Sequence, residues 1–271
     1  MKRYNTVLTI AGSDSGGGAG IQADIKAISA MGCYATSAIT AITVQNTLGV
    51  ESVHAIPLET IRGQIDAVLS DIGADCVKIG MLHSSDVVEV VAECLAKYDI
   101  RNVVLDPVMV STSGHRLIEE SAIQTLCEVL IPRARVITPN IPEAEILAGV
   151  TITSSKQFPE VARKLSMGGK VSVLLKAGHL TDESVEDLFY NAEDDTFTTL
   201  PSERIATPNT HGTGCTLSSA LAAAIARGLP LAAAARAAKE YISGAIRSGA
   251  EYEIGHGHGP VNHFWKVEKV G

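Results

Sequence analysis

VVLDPVMV, residues 103–110, decides the fold. Three apolar residues, two of them β-branched, stop at an aspartate that is followed by proline. A strand with one face in water would alternate polar and apolar side chains. A run that stays apolar is a strand buried on both faces, the mark of a parallel sheet with helices on either side. VLLKAGH at 173–179 has the same construction, with a lysine where the aspartate stood.

Working outward, strands are predicted at 5–10, 36–44, 76–79, 102–105, 135–138 and 171–176. Ala-rich helices are predicted at 19–31, 58–70, 84–97, 119–130, 142–148, 155–167, 213–227 and 231–248. The stretch 185–200 differs. It reads as two short strands around 191–195, an antiparallel hairpin at a sheet edge. No repeat, low-complexity segment or linker interrupts the pattern, so one α/β domain over residues 1–271 is expected. Hydrophobic residues make up 46 % of the chain and aromatics only 4 %. Ala, Val, Ile and Leu must therefore fill the core.

The composition also excludes functions. The net charge of −8 and the lack of a basic run make a nucleic-acid backbone an unsuitable partner. No apolar run approaches a membrane span, and the N-terminal apolar run breaks into a glycine-rich turn rather than a signal-peptide cleavage site. Five cysteines without CxxC spacing argue against a disulfide framework or a zinc site and for a reducing cytoplasm. The histidines of GHGHGP, 255–260, lack further ligands at zinc spacing.

In open α/β sheets, ligands bind beyond the carboxyl ends of the strands. Here those ends run into GSDSGGGAG (12–20), TVQNT (43–47), KIGML (78–82), LDPVMV (105–110), TPNIPE (138–143) and LKAGH (175–179). One polar strand end is ordinary turn chemistry; six together predict a site along one edge. The strongest segment is NTHGTGCTLSSALAAAIARG, 209–228. Its glycine turn opens a long helix, whose first amides are unpaired and aligned with the dipole. Gly212, Thr213 and Gly214 thus predict an anion site rather than a plain tight loop. Cys215 lies in the same turn. A helix start favours a thiolate, whereas a small buried cysteine is inert, and the residues leave both readings open.

The opening glycine loop has neither a Walker A ending nor a clean dinucleotide fingerprint. On the helix after it, Ile21, Ile25 and Ile28 form an apolar stripe that includes Asp24. A carboxylate there needs a partner. The nearby loop favours a ligand's amino or hydroxyl group over backbone capping. Gln45 is a two-sided amide after an apolar strand, suited to a ring with donor and acceptor edges. Asp106, Asn140 and Glu143 can hold Mg²⁺, directly or through water, or serve as caps. Lys176 follows VLL, where a charge needs a phosphate or a carboxylate.

Taken together, these segments resemble the hydroxymethylpyrimidine/phosphomethylpyrimidine kinases of thiamin biosynthesis, in the ribokinase-like superfamily. The resemblance runs from TIAGSDSGGGAGIQAD to GHGHGPVNH, nearly end to end. It implies a three-layer αβα sandwich, ATP and Mg²⁺, and a homodimer. The implied acceptors are 4-amino-5-hydroxymethyl-2-methylpyrimidine and then its monophosphate. Carried over, Asp24 and Gln45 bind the aminopyrimidine, with Gly12, Thr43, Met81 and Val108 around the ring. Asp106 and Glu143 organise Mg²⁺, while Asn140, Glu143, Lys176, Thr210 and Thr213 meet ATP. Gly212 and Gly214 form the anion hole, and Cys215 stands where most of the superfamily has an aspartate base. Two departures are DSGGGAG for the family's usual DPSGGAG, and Thr112 and His115 where Lys and Asp are usual. A fused second domain of the pathway is not expected. The rival readings are a pyridoxal kinase on the same scaffold, a thiol-dependent enzyme built on Cys215 and His211, and a nucleotide-binding protein without catalysis.

Overall fold

A computed structural model describes residues 2–109, 117–178 and 184–267. The chain folds as the apolar runs predict, into an α/β architecture around one nine-stranded sheet. The strands are β1 (Thr6–Asp14), β2 (Tyr34–Asn46), β3 (Gly49–Ala55), β4 (Cys76–Ile79), β5 (Val103–Leu105), β6 (Val136–Ile137), β7 (Ser172–Leu175), β8 (Ser184–Asn191) and β9 (Thr196–Glu203). Their spatial order is β3-β2-β1-β4-β5-β6-β7-β8-β9. From β2 to β7 every pairing is parallel; β3, β8 and β9 are antiparallel additions at the two edges. All six parallel strands therefore release the chain along the same edge.

Each face of the sheet has its own helices. One carries α2 (Leu58–Asp71), α3 (Ser85–Lys97), α5 (Ile141–Ala148) and α6 (Phe158–Leu165). Ile61, Ile65, Val91, Leu95 and Phe158 pack there against Leu8, Ile10, Val77 and Leu105. The other face carries α1 (Gly20–Ala30), α7 (Thr213–Ala226) and α8 (Leu231–Gly249). Here Val7, Val104, Val136 and Leu174 meet an alanine-rich surface from Leu217 to Ala226. Helix α7 is buried from Thr216 to Ala226. Small side chains let that helix lie close to the strands, as the scarcity of aromatics requires.

Some elements differ from expectation. Strand β1 continues through Gly12 and Ser13 to Asp14, so part of the predicted loop is sheet. Strand β3 was not expected. Its residues are nearly all exposed, so no burial pattern announces it, and only pairing with β2 makes it a strand. The helix expected at 119–130 is α4 (Glu120–Thr125) followed by a wider turn at Leu126–Leu130 and a 3-10 turn at Ile131–Arg133. There Pro132 removes a backbone donor. The expected helix at 155–167 starts as a 3-10 turn at Ser155–Gln157 before α6. The departures at Thr112 and His115 lie outside the described residues.

Candidate active site

A cavity of about 620 Å³ opens along the edge where the parallel strands end. At one end it is floored by Gly12, Thr43, Gln45, Met81 and Val108, residues from the ends of β1, β2, β4 and β5. Gly12 lies against Met81: a Cβ there would be 2.8 Å from Met81 Cε, so the methionine tip would have to move aside. In the middle, Asp106, Asn140, Glu143 and Lys176 meet Thr210 and the start of α7. The far end is bounded by residues of β9 and by Ile242, Ser243 and Ile246 of α8.

The turn before α7 has the predicted form. Gly212 is the N-cap, with φ of 76°. A side chain there would be strained and would run into the carbonyl of Gly18. Gly214 faces Lys176 and Asp106: its Cβ would be 3.3 Å from Lys176 Nζ and 3.5 Å from Asp106 Oδ2. The amides of Gly214 and Cys215 are in the first turn, where no helical carbonyl precedes them, and they stay available to an anion.

Asp106 is buried at the foot of this turn. It accepts from Thr138 Oγ1 at 2.9 Å and from Lys176 Nζ at 2.8 Å, with Ser218 Oγ at 3.4 Å. Burial pushes its pKa up, but the Lys176 and Lys78 ammoniums outweigh that and hold it below the ordinary value. Asn140 and Glu143 form a reciprocal capping box at the start of α5, with contacts of 2.9 and 2.8 Å. Capping and lining the cavity thus coexist in the same two side chains. Burial drives the Glu143 carboxyl up to about 7, against the pull of Lys176, whose Nζ is 4.0 Å away. Lys176 itself stays charged. Burial works against its proton, and Asp106 and Glu143 more than offset that.

One expectation requires correction. Asp24 is fully buried and does not line the cavity. Its oxygens take Lys78 Nζ at 2.9 Å twice, Thr9 Oγ1 at 2.6 Å and Ser219 Oγ at 2.7 Å. Four acceptor positions are filled, so the carboxylate has nothing left to offer a ring. The apolar stripe did demand a partner, and the partner is an ammonium on β4. For Cys215, where the residues left two readings open, the neutral thiol is favoured over the thiolate. Burial pushes its pKa up to about 11, despite the opposing field of Lys78, and the thiol is neutral at pH 7.

Sequence reasoning missed Lys78 and Asp14. Lys78 stands in the buried strand CVKI with no exposed surface. Burial would strip its proton, but Asp24 outweighs it and raises the pKa above the ordinary lysine value. The argument applied to Lys176 after VLL holds equally for this lysine within an apolar strand. Asp14 clamps the glycine loop. It accepts the amides of Gly16, Gly18 and Ala19 at 2.8, 3.0 and 2.8 Å, and its Oδ2 lies 2.8 Å from His211 Nε2. The GHGHGP segment closes over the same corner. His211 N donates to Gly259 O at 3.1 Å, and His258 N to Thr47 O at 2.8 Å.

A buried carboxylate, an ammonium and a helix start with free amides together make a site for polyanions beside a ring-sized compartment. Comparison with known proteins agrees with that geometry. Residues 14–262 match the family model described as phosphomethylpyrimidine kinase. The chain belongs to this family. It is 47 % identical over 267 residues to the hydroxymethylpyrimidine/phosphomethylpyrimidine kinase of Haemophilus influenzae, covering 97 % of this chain and 98 % of that one. It is 49 % identical over 266 residues to a thiamine biosynthesis bifunctional protein of Geobacter sulfurreducens, covering 98 % of this chain but only 53 % of the relative. The chain thus spans about half of that bifunctional relative and nearly all of the Haemophilus one. Among solved structures, the ADP complex of Bacillus subtilis pyridoxal kinase superposes with a TM-score of 0.89 at 37 % identity, covering 98 % of this chain and all of that one. The ribokinase-like fold and the family's phosphotransferase class follow.

Proposed function

We propose that the phosphomethylpyrimidine kinase family member described here transfers the γ-phosphoryl group of ATP to the hydroxymethyl group of 4-amino-5-hydroxymethyl-2-methylpyrimidine, and then phosphorylates the monophosphate. The observation that carries this reading is the convergence of Lys176, Asp106 and the Gly212–Cys215 turn beside the ring compartment around Gln45. Phosphoryl transfer needs little covalent help from a protein; positioning and electrostatics suffice. Lys176 would meet the phosphates of ATP, with Asn140, Thr210 and Thr213 beside it. The amides after Gly212 would receive the charge that develops on the transferred group. Thr43, Gln45, Met81, Val108 and Gly12 would hold the ring. Cys215, as a neutral thiol, would shape the pocket against the substrate hydroxyl, whose proton leaves late in a loose transition state.

Mg²⁺ fits the donor set. No cluster of three or more ligating side chains occurs among the described residues, and Mg²⁺ commonly takes only one or two carboxylates besides phosphate oxygens and water. Asp106 and Glu143 would be those carboxylates, and the ion would supply charge neutralisation at the phosphates. No helix among the described residues is long and apolar enough to cross a membrane, and a cytoplasmic location is proposed from the five free cysteines. All the described strands lie in one sheet, which supports a single kinase unit over 1–271. A homodimer is also proposed, through the hairpin of β2 and β3, where Ile42, Val44 and Leu48 are exposed.

The test is ATP consumption by purified protein with Mg²⁺, with the aminopyrimidine and pyridoxal in parallel and products resolved by mass. Mono- and diphosphorylated pyrimidine is the expected outcome. Turnover of pyridoxal alone would reassign the substrate and keep the site. ATP binding without turnover of either ring would leave a nucleotide-binding protein.

A further inference from the structure

The imidazole of His211 is fixed from one side. Its Nε2 meets Asp14 Oδ2 at 2.8 Å, and Asp14 already accepts three loop amides. A carboxylate offers only lone pairs, so His211 Nε2 must carry a proton. The same Nε2 lies 3.3 Å from Gln45 Nε2, which sets two N–H groups face to face. On the other side, Gln45 Oε1 lies 3.0 Å from Thr43 Oγ1. That hydroxyl has one proton, and the carbonyl of Ser13 is offered it at 2.9 Å. Both mismatches vanish with one half-turn of the amide. Gln45 Oε1 then shares the His211 Nε2–H with Asp14 Oδ2, as the longer branch of a three-centre bond, and Gln45 Nε2 donates to Thr43 Oγ1.

We propose that His211 is a specificity-determining positioning residue: its Asp14-anchored N–H holds the Gln45 oxygen toward His211 and the Gln45 NH2 toward Thr43, so that the site reads a ring edge with an acceptor nitrogen beside an amino donor. This rests on the pyrimidine reading above. The substrate has that edge in ring N3 and the 4-amino group, and an amide set this way matches both in the manner of glutamine on adenine. The order of groups also fits. His211 directly precedes the Gly212–Cys215 turn in the chain, which sets the His211 end of the amide on the side of that turn. Along the ring run N3, the 4-amino group and the 5-hydroxymethyl group. Seating the amino group at His211 directs the hydroxyl toward the anion-binding turn. The opposite amide setting would seat the amino group at Thr43 and turn the hydroxyl away.

The test compares the aminopyrimidine with its 4-oxo analogue, whose ring N–H and carbonyl reverse the polarity of the edge. Dissociation constants for both rings are measured by titration calorimetry, so the readout does not require turnover. Wild-type protein is expected to favour the amino ring by at least about 100-fold, because the reversed edge leaves buried polar groups unpaired. In H211F, Gln45 is free to turn, and the preference should narrow to less than about tenfold. H211Q, which keeps a donor, should retain most of it. A preference unchanged in H211F would overturn the proposal. Should H211F fail to fold by thermal melting, H211A removes the same N–H with a smaller side chain, and an unchanged preference there overturns the proposal equally. Wild-type protein that binds both rings alike keeps the pyrimidine reading and sinks this inference. Protein that binds neither ring removes both.

Discussion

At the residue scale, burial decides what each ionisable group can do. Cys215 occupies the one turn where a helix dipole would favour a thiolate, yet its pKa is driven up to about 11. Loss of hydration costs the anion more than the dipole and Lys78 return. Because the neutral form dominates below that value, alkylation of Cys215 by iodoacetamide should be slow at pH 7 and accelerate only toward pH 11. The rate is read from the mass of the peptide that carries Cys215, and a midpoint near pH 7 would sink the neutral-thiol reading. Asp24 teaches the same lesson from the other side. With Lys78, Thr9 and Ser219 around it, the carboxylate is held in place by hydrogen bonds on both oxygens. Removing Lys78 alone would leave that charge unpaired in the core, a change that costs about 3–5 kcal/mol in comparable buried pairs.

At the element scale, α7 opens on the turn proposed to bind the phosphate charge. Its alanine-rich body buries against β1, β4 and β5, and its second turn is tethered twice. Ser218 reaches Asp106 and Ser219 reaches Asp24. Consecutive serines thus tie the helix just beyond the glycine turn to the end of β5 and to α1. Gly212 makes the entry possible, and Gly228 beyond the same helix provides the control. Both have positive φ, 76° and 83°, but a Cβ at Gly228 meets nothing within 4 Å. Each Gly→Ala change should cost about 1–2 kcal/mol for the left-handed backbone. Only G212A also collides with Gly18. We expect G228A to lower the melting temperature while keeping turnover, and G212A to lose kcat/KM by about 100-fold or more. Equal kinetic effects of the two changes would show that the turn has no special part in catalysis.

At the scale of the whole molecule, the sheet's two edges are unlike. At one edge β8 and β9 form a hairpin that helps close the far end of the cavity. At the other, β3 presents an unpaired edge next to exposed Ile42 and Val44 of β2. Exposed strand edges with apolar neighbours are normally covered. Light scattering should therefore give twice the chain mass for wild-type protein and the single-chain mass for I42E/V44E. A monomeric wild type at assay concentrations would remove the homodimer.

The sequence by itself determined the architecture and the edge on which the site lies. Unbroken apolar runs such as VVL and VLL have one stable solution, a parallel sheet covered on both faces, and the polar residue after each run marks where the chain meets the ligand. The glycine turn before α7 was legible for a similar reason, since a long helix that opens on glycines leaves its first amides without helical partners in any fold. Strand β3 was not legible, because its exposed residues carry no burial signal. Partner choice was not legible either. The sequence said that Asp24 needed a partner, for which it favoured a ligand, and that Lys176 needed a phosphate or a carboxylate; only the tertiary structure decided that Asp24 takes Lys78, 54 positions away, and that Lys176 takes Asp106, 70 positions away. Which buried charge meets which depends on strand order and register. Those are set by packing of the whole sheet and leave no local trace in the chain.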